Sequence, residues 1–306
     1  MRISENARRT VVFFGQPSST GGEVEYCGTG FLVNCRIDGW GFGYLVTARH
    51  VAERVNPTNR SVIRVNTPDN SSAPVLVDDM HWTYHPDPNV DVAVAPCHLD
   101  QKKFDVGYYN LFDIVKRKAS LYRVQCGDPI CIIGLFRLHS GSQRNTPIVH
   151  SGNIALLPDP KETIPVQNPG SGELLHMEAY LVEAQTLEGL SGAPVFQREI
   201  VAVRQLGEHN GGPAVLETGA QLLGVYSAAW AGYPSPTVSE EKKLGPDRRV
   251  PIGMGIVVPS EKILELVMDD PDLKKSRAEF LKEKQAHQSI EETSNREANN
   301  VIGSAE

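Results

Sequence analysis

Short apolar runs broken by turn-forming residues dominate the chain. TVVFFG, GTGFLVN, GYLVTAR, SVIRVNT, APVLVDD, DVAVAPC, PICIIGLF, GNIALLP, AYLVEAQ, APVFQ, QLLGVYSA and GMGIVVP are the clearest. Many are rich in Val, Ile, Phe and Tyr, which fit a pleated surface, and Gly, Pro, Asn, Asp or Ser bounds most of them. This spacing predicts an all-β barrel or sandwich. The runs fall into two sets, within about residues 10–97 and 122–258, and the more polar QKKFDVGYYNLFDIVKRKAS lies between them. Two β-domains of similar size follow: residues 1–118, connector included, and residues 119–268. Helical spacing comes late, in EKILELVMDD, with Ser260 placed as its N-cap. Asp270-Pro271 offers a second helix start, since Pro suits the first helical position. Residues 269–306 form a charged tail, helical and then disordered in composition. A solvated, fraying tail is expected; docking of a partner or a second copy of the chain is the alternative.

Composition narrows the class. The 306 residues are 40% hydrophobic and 22% charged, as in soluble globular proteins. A net charge of −7 without a basic stripe argues against nucleic acid, whose phosphates need clustered Lys and Arg. No apolar stretch approaches the roughly 20 residues of a membrane span. MRISENARRTVVFFG lacks the apolar run of a secretion signal, so a cytoplasmic location is expected. The cysteines, Cys27, Cys35, Cys97, Cys126 and Cys131, are odd in number and irregularly spaced. They are expected to be reduced and to pack as small buried hydrophobes. None is spaced C-x-x-C, so no zinc site is expected.

The stretch LEGLSGAP places Ser191 near Gly189 and Gly192, a composition suited to a tight turn with positive φ. Such a turn can present a hydroxyl, but a serine is a weak nucleophile without an imidazole base and an orienting carboxylate. Of nine histidines, His50 stands where the β-run GYLVTAR ends and the chain turns. His81, His85, His98, His139, His150, His176, His209 and His287 lie mostly in polar or loop-like contexts and are read as surface or packing residues. Asp91 opens the apolar run DVAVAPC, whereas Asp87 in HPDPN reads as a turn former. The order His50, Asp91, Ser191 is one in which this catalytic triad occurs. It would place the base and carboxylate in the first domain and the nucleophile in the second.

With these residues in view, the sequence resembles the trypsin-like serine peptidases, and within them the bacterial HtrA/Deg-like branch. The resemblance rests on GTGFLV (28–33), YLVTARHV (44–51), DVAVAP (91–96), GDPICIIGLF (127–136), HSGNIALLP (150–158), GLSGAP (189–194), LLGVYSA (222–228) and GMGIVVPSEKILELV (253–267), in consistent order over about residues 10–268. It implies a chymotrypsin-like fold: two six-stranded antiparallel β-barrels with a C-terminal helix and a polar tail. It also implies Ser191 as nucleophile, His50 as general base and then acid, Asp91 as orienting carboxylate, and the N–H groups of Gly189 and Ser191 as oxyanion hole. Ser227 would support the aspartate, and Gln185, Tyr226 and Ala228 would frame the specificity pocket. Leu190 stands where relatives usually carry Asp or Asn, so activation by ion pairing with a newly cut N-terminus is not expected. Ala193 replaces a glycine, and Arg49, where a small residue is commoner, is expected to point to solvent. No PDZ-like segment is expected after residue 268.

Gln185, at the expected base of the pocket, is neutral, so a lean toward small or apolar side chains is expected rather than toward Lys or Arg. Glu183 and Glu188 read as solvated carboxylates. Residues 138–146, 206–214 and 233–249 read as exposed loops, either gates or plain connections. The leading expectation is therefore a serine endopeptidase acting on proteins or peptides, needing no cofactor and no metal. A catalytically silent binding or scaffold module of the same fold is the alternative. An esterase is disfavoured because GLSGAPVFQ continues as β rather than forming a strand–turn–helix elbow.

Overall fold

The computed structural model describes residues 4–17, 24–55, 61–77, 80–119, 124–167, 172–185, 187–198, 203–204, 215–216, 220–232 and 250–286. The chain divides into two compact units, Met1–Leu264 and Glu265–Glu306.

In the first unit every expected β-run forms a strand. The first set gives β1 (Val11–Pro17), β2 (Val24–Ile37), β3 (Trp40–Thr47), β4 (Val62–Asn66), β5 (Ser72–Leu76), β6 (Thr83–Tyr84) and β7 (Ala93–Pro96). Their order in the sheet is β5-β4-β1-β2-β3-β7-β6, and β8 (Tyr109–Asn110) pairs parallel to β2. Helix α1 (Glu5–Arg9) precedes β1, and α2 (Arg49–Arg54) follows β3. The apolar alternation sends Val12, Phe14, Leu32, Leu45, Ile63 and Val65 into one core, each fully buried.

The second set closes into a six-stranded barrel, as expected: β9 (Pro129–Gly134), β10 (Ile148–Leu156), β13 (Tyr180–Glu183), β14 (Pro194–Arg198), β17 (Ala220–Gly232) and β18 (Val250–Pro259). Residues two apart, Ile130 with Ile132 along β9 and Ala193 with Val195 at the start of β14, point into its core. Two hairpins not anticipated are added: β11 (Ile164–Gln167) with β12 (Leu174–Met177), and β15 (Val203–Arg204) with β16 (Val215–Leu216).

Three expectations for this unit are corrected. The first set does not form a six-stranded ring among the described residues. It forms an eight-stranded sheet with β5 and β6 at its ends. β6 has only two residues, too short a ladder to close the sheet against β5. The connector is not merely polar. It supplies β8 and helix α3 (Phe112–Ala119), and it buries Val106, Leu111 and Ile114. Its Tyr109 hydroxyl accepts a hydrogen bond from the Leu222 N–H at 3.1 Å, and its ring tilts against Phe196, so the connector ties the sheet to the barrel.

The third correction concerns residues 138–146, which are neither a gate nor a plain connection. Buried Arg64 donates to the carbonyls of Gly141 (2.8 Å) and Ser142 (3.2 Å), and the Asn145 amide donates to the Arg64 carbonyl at 2.6 Å. The Ser72 hydroxyl donates to the Gln143 carbonyl at 2.7 Å. This loop is strapped onto β4 and β5. Residues 206–214 and 233–249 lie outside the described residues.

All five cysteines are free thiols. Burial pushes Cys97 and Cys131 up to about 12, which leaves them unreactive. Cys126 departs from expectation: it is exposed, in the turn before β9. Helix α4 (Ser260–Asp269) starts at the expected serine. In the second unit, residues 271–286 form helix α5. Asp270 caps it by accepting from the N–H groups of Asp272 and Leu273, and Pro271 takes the first helical position. Residues 289–306 lie outside the described residues. No helix among the described residues is long and apolar enough to cross a membrane.

Candidate active site

The β3–β7 ladder brings together two residues 41 apart in sequence. Thr47 pairs with Ala93, so the continuing chains place His50, just past the end of β3, beside Asp91, just before β7. Both are buried, at 4% exposure each. The His50 N–H donates to Asp91 Oδ1 at 3.0 Å, and His50 Nδ1 lies 2.9 Å from Oδ2. The carboxylate thus grips both the backbone and the ring of one residue.

Ser227 completes this side. The β17–β18 register shifts between Tyr226 and Ala228, which makes Ser227 the extra residue of a bulge. Bulges re-aim side chains. Here the Ser227 hydroxyl donates to Asp91 Oδ2 at 2.5 Å. Burial alone would push the Asp91 carboxyl up. The His50 charge and ring hydrogen bond, the Ser227 hydroxyl and the His50 N–H outweigh it and hold the group below the usual value of 3.8. An ionised carboxylate only accepts, so Nδ1 carries the proton and Nε2 is left as the basic nitrogen.

Ser191 sits in a turn whose glycines carry positive φ: +98° at Gly189 and +85° at Gly192. Gly192 is required for space as well. A Cβ there would come within 2.1 Å of both the Thr29 carbonyl and Thr47 Oγ1, and 3.1 Å from the Ala48 nitrogen. The serine turn therefore rests on the end of β3, three residues before His50. From the other side, the Gly192 N–H donates to the Tyr226 carbonyl at 2.8 Å, next to Ser227. A path of contacts runs from Asp91 through Ser227 and Tyr226 to the serine turn, and back to His50 through Ala48.

Leu190 is fully buried in the barrel core, and a Cβ on Gly134 would come 3.0 Å from its Cδ2. Leu190 thus acts as an apolar plug beneath the serine turn. Ala193 also belongs to this core. Among the described residues, the N–H groups of Gly189 and Ser191 make no hydrogen bond within the chain.

The residues expected to frame a specificity pocket fall in different surroundings. Gln185 is exposed beyond β13, Ala228 is buried opposite Ile256, and Tyr226 lies in the barrel core with its hydroxyl unpaired. Arg49 stays at the surface, held by Glu53 at 2.8 Å and lying over the Tyr84 ring. Glu188 pairs with Arg137 at the surface, and Glu183 is exposed. Asp87 is a turn former, accepting from the Asn89 N–H. His85 is buried and its Nδ1 accepts from the Asp87 N–H, a packing role. A groove of about 730 Å³, lined by Asn34, Gly41, Gly43, His98 and Tyr108 among others, is bordered by none of the candidate residues.

One residue of the site escaped sequence reasoning. Thr29, fully buried in β2, hydrogen bonds to the Gly189 and Ser191 carbonyls. Its signal was present in GTG: a polar residue inside an apolar strand, between glycines that let another backbone approach. A Cβ on Gly28 would meet Val51 at 2.8 Å and the Ser191 carbonyl at 3.6 Å.

Residues 28–203 match the family model described as "Trypsin-like peptidase domain". No curated protein matches the chain. Among solved structures, the Rv3671c protease of M. tuberculosis in its active form is 17% identical with a TM-score of 0.43, covering 85% of this chain and 80% of that one. The inactive form of the same protease is 16% identical with a TM-score of 0.44, covering 85% and 88%.

Proposed function

Because the chain belongs to the trypsin-like peptidase family and is a trypsin-like serine protease, we propose that it hydrolyses internal peptide bonds through Ser191, His50 and Asp91. Ser191 Oγ attacks the scissile carbonyl as His50 Nε2 takes its proton. The tetrahedral oxyanion accepts hydrogen bonds from the N–H groups of Gly189 and Ser191. Collapse breaks the C–N bond, the amine leaves with the proton from His50, and an acyl-enzyme remains on Ser191. Water, deprotonated by the same imidazole, then releases the acid and restores the hydroxyl. Asp91 stays ionised throughout and stabilises the imidazolium; Ser227 and the His50 N–H hold it in place.

The observation that carries this reading is the buried His50–Asp91 pair at 2.9 Å, beside a turn that rests on the strand end preceding His50. That pairing supports Nε2 as the base. The test is labelling by a fluorophosphonate probe. Wild type should label and Ser191→Ala should not; equal labelling of both, or of neither, would sink the proposal.

We further propose that substrates with small or apolar residues before the cut bond are preferred. Gln185 offers no charge to a Lys or Arg, and Glu188 is already paired with Arg137. Cleavage of a peptide library only after Arg or Lys would reverse this assignment.

A further inference from the structure

We propose that Thr29, on the first sheet, is a positioning residue that holds the oxyanion hole of the barrel in its working geometry. The inference rests on the reading of Gly189 and Ser191 as oxyanion donors. Thr29 uses all of its polar groups. Its N–H donates to the Ser191 carbonyl at 2.9 Å. Its Oγ1 accepts from the Leu135 N–H at 2.9 Å and donates to the Gly189 carbonyl at 2.6 Å. Its carbonyl accepts from Thr47 Oγ1 at 2.7 Å.

The hydroxyl's direction is set by this arrangement. Oγ1 receives the Leu135 proton on one lone pair, so its own proton goes to the Gly189 carbonyl. The carbonyl–hydroxyl–amide chain bridges the oxyanion turn and the residue after β9. A second tie acts one peptide earlier. The Glu188 carbonyl accepts from the Arg137 N–H at 3.3 Å. In a trans peptide the N–H points opposite the carbonyl. The Gly189 N–H is therefore aimed away from Arg137.

A glycine with φ of +98° has few conformational barriers of its own. Orientation must come from the peptides on either side of it. Thr29 holds the Gly189 and Ser191 carbonyls, and Arg137 holds that of Glu188. Removing the Thr29 hydroxyl leaves the Gly189 carbonyl and the Leu135 N–H without this partner, and the peptide can rotate to seek others.

The test compares Thr29→Val, which keeps the shape and loses the hydroxyl, with Thr29→Ser, which keeps the hydroxyl. Thr29→Val should lower kcat about 10- to 100-fold, part of the roughly 10²–10³ that one full oxyanion donor is worth. KM should stay within about twofold, because substrate binding precedes oxyanion formation. Affinity for a peptide boronate should fall in parallel with kcat. Thr29→Ser should recover most of both. Thr29→Ala repeats the measurement should the valine variant not fold, with the same kcat-specific loss expected.

Wild-type kcat in Thr29→Val, a loss confined to KM, or a Thr29→Ser variant as slow as Thr29→Val would each overturn the proposal. Ser191→Ala, run alongside, separates the two levels. An active Ser191→Ala overturns the nucleophile assignment itself, whereas an inactive one beside an unimpaired Thr29→Val overturns only the role of Thr29.

Discussion

The first sheet and the barrel hold their halves of the site by different physics. The His50–Asp91 pair is assembled within one sheet. The β3–β7 ladder sets the spacing, and two hydrogen bonds from a single histidine anchor the carboxylate. The serine turn is held instead by positive-φ glycines, by the buried Leu190, by hydrogen bonds from Thr29 and by the close approach of Gly192 to Thr47 and Ala48. One half is locked by charge and hydrogen bonding and borrows only the Ser227 hydroxyl from the barrel. The other is locked by packing together with hydrogen bonds from its neighbour, on which it depends. Damage to the first should therefore appear chiefly as lost chemistry, and damage to the second as lost stability, joined by lost chemistry where the oxyanion donors themselves are disturbed.

The largest effect expected on this comparison comes from Asp91→Asn. An amide can donate to Nδ1 and favour the wrong tautomer, so kcat should fall roughly 10⁴-fold, read with a peptide substrate. A loss under tenfold would show that the carboxylate does not orient the base. Next comes Gly189→Ala. The added methyl would lie 2.9 Å from Leu135 side-chain atoms, on a backbone with φ of +98°. A fall in kcat of about 10²–10³, with a lower melting temperature, is expected. Leu190→Ala should act mainly on stability. A fully buried leucine cut to alanine costs about 2–5 kcal/mol in denaturant unfolding, while kcat per folded molecule changes little. A kcat loss without destabilisation would assign the plug a chemical role.

The smallest effect concerns acid. The Asp91 carboxyl is held below its usual 3.8 in the folded protein. Its contribution to stability is therefore complete above the unfolded value and is lost as the pH falls through the lower folded one. Stability of wild type should drop more steeply with acid below about pH 4 than that of Asp91→Asn, whose amide does not titrate. Parallel acid limbs in the two proteins would show that the carboxylate gains nothing from its partners.

Much of this was legible along the chain. The β-runs were marked by branched and aromatic residues between turn formers, and every one became a strand. The three candidate residues were singled out by context: an imidazole at a strand end, a carboxylate before an apolar run, a hydroxyl between glycines. Less visible were β6 and β8, two residues each, too short for any period to register. The strap on residues 138–146 was hidden because a Gly-Ser-rich composition describes an exposed loop whether or not a buried arginine reaches it. Arg64 lies 77 residues from the carbonyl it holds at Gly141.

The division follows from range. Burial period, turn chemistry and the need for positive φ act between neighbours, so residue order alone settled the strands, the serine turn and the chemical types on hand. Closure of the second barrel but not of the first sheet depended on contacts between distant segments. So did the bulge that turns Ser227 onto Asp91, and the bond from Thr29 to Gly189 across 160 residues. A hydrogen bond is worth something only when both partners arrive at about 3 Å with the right aim, and that meeting exists only in the folded chain.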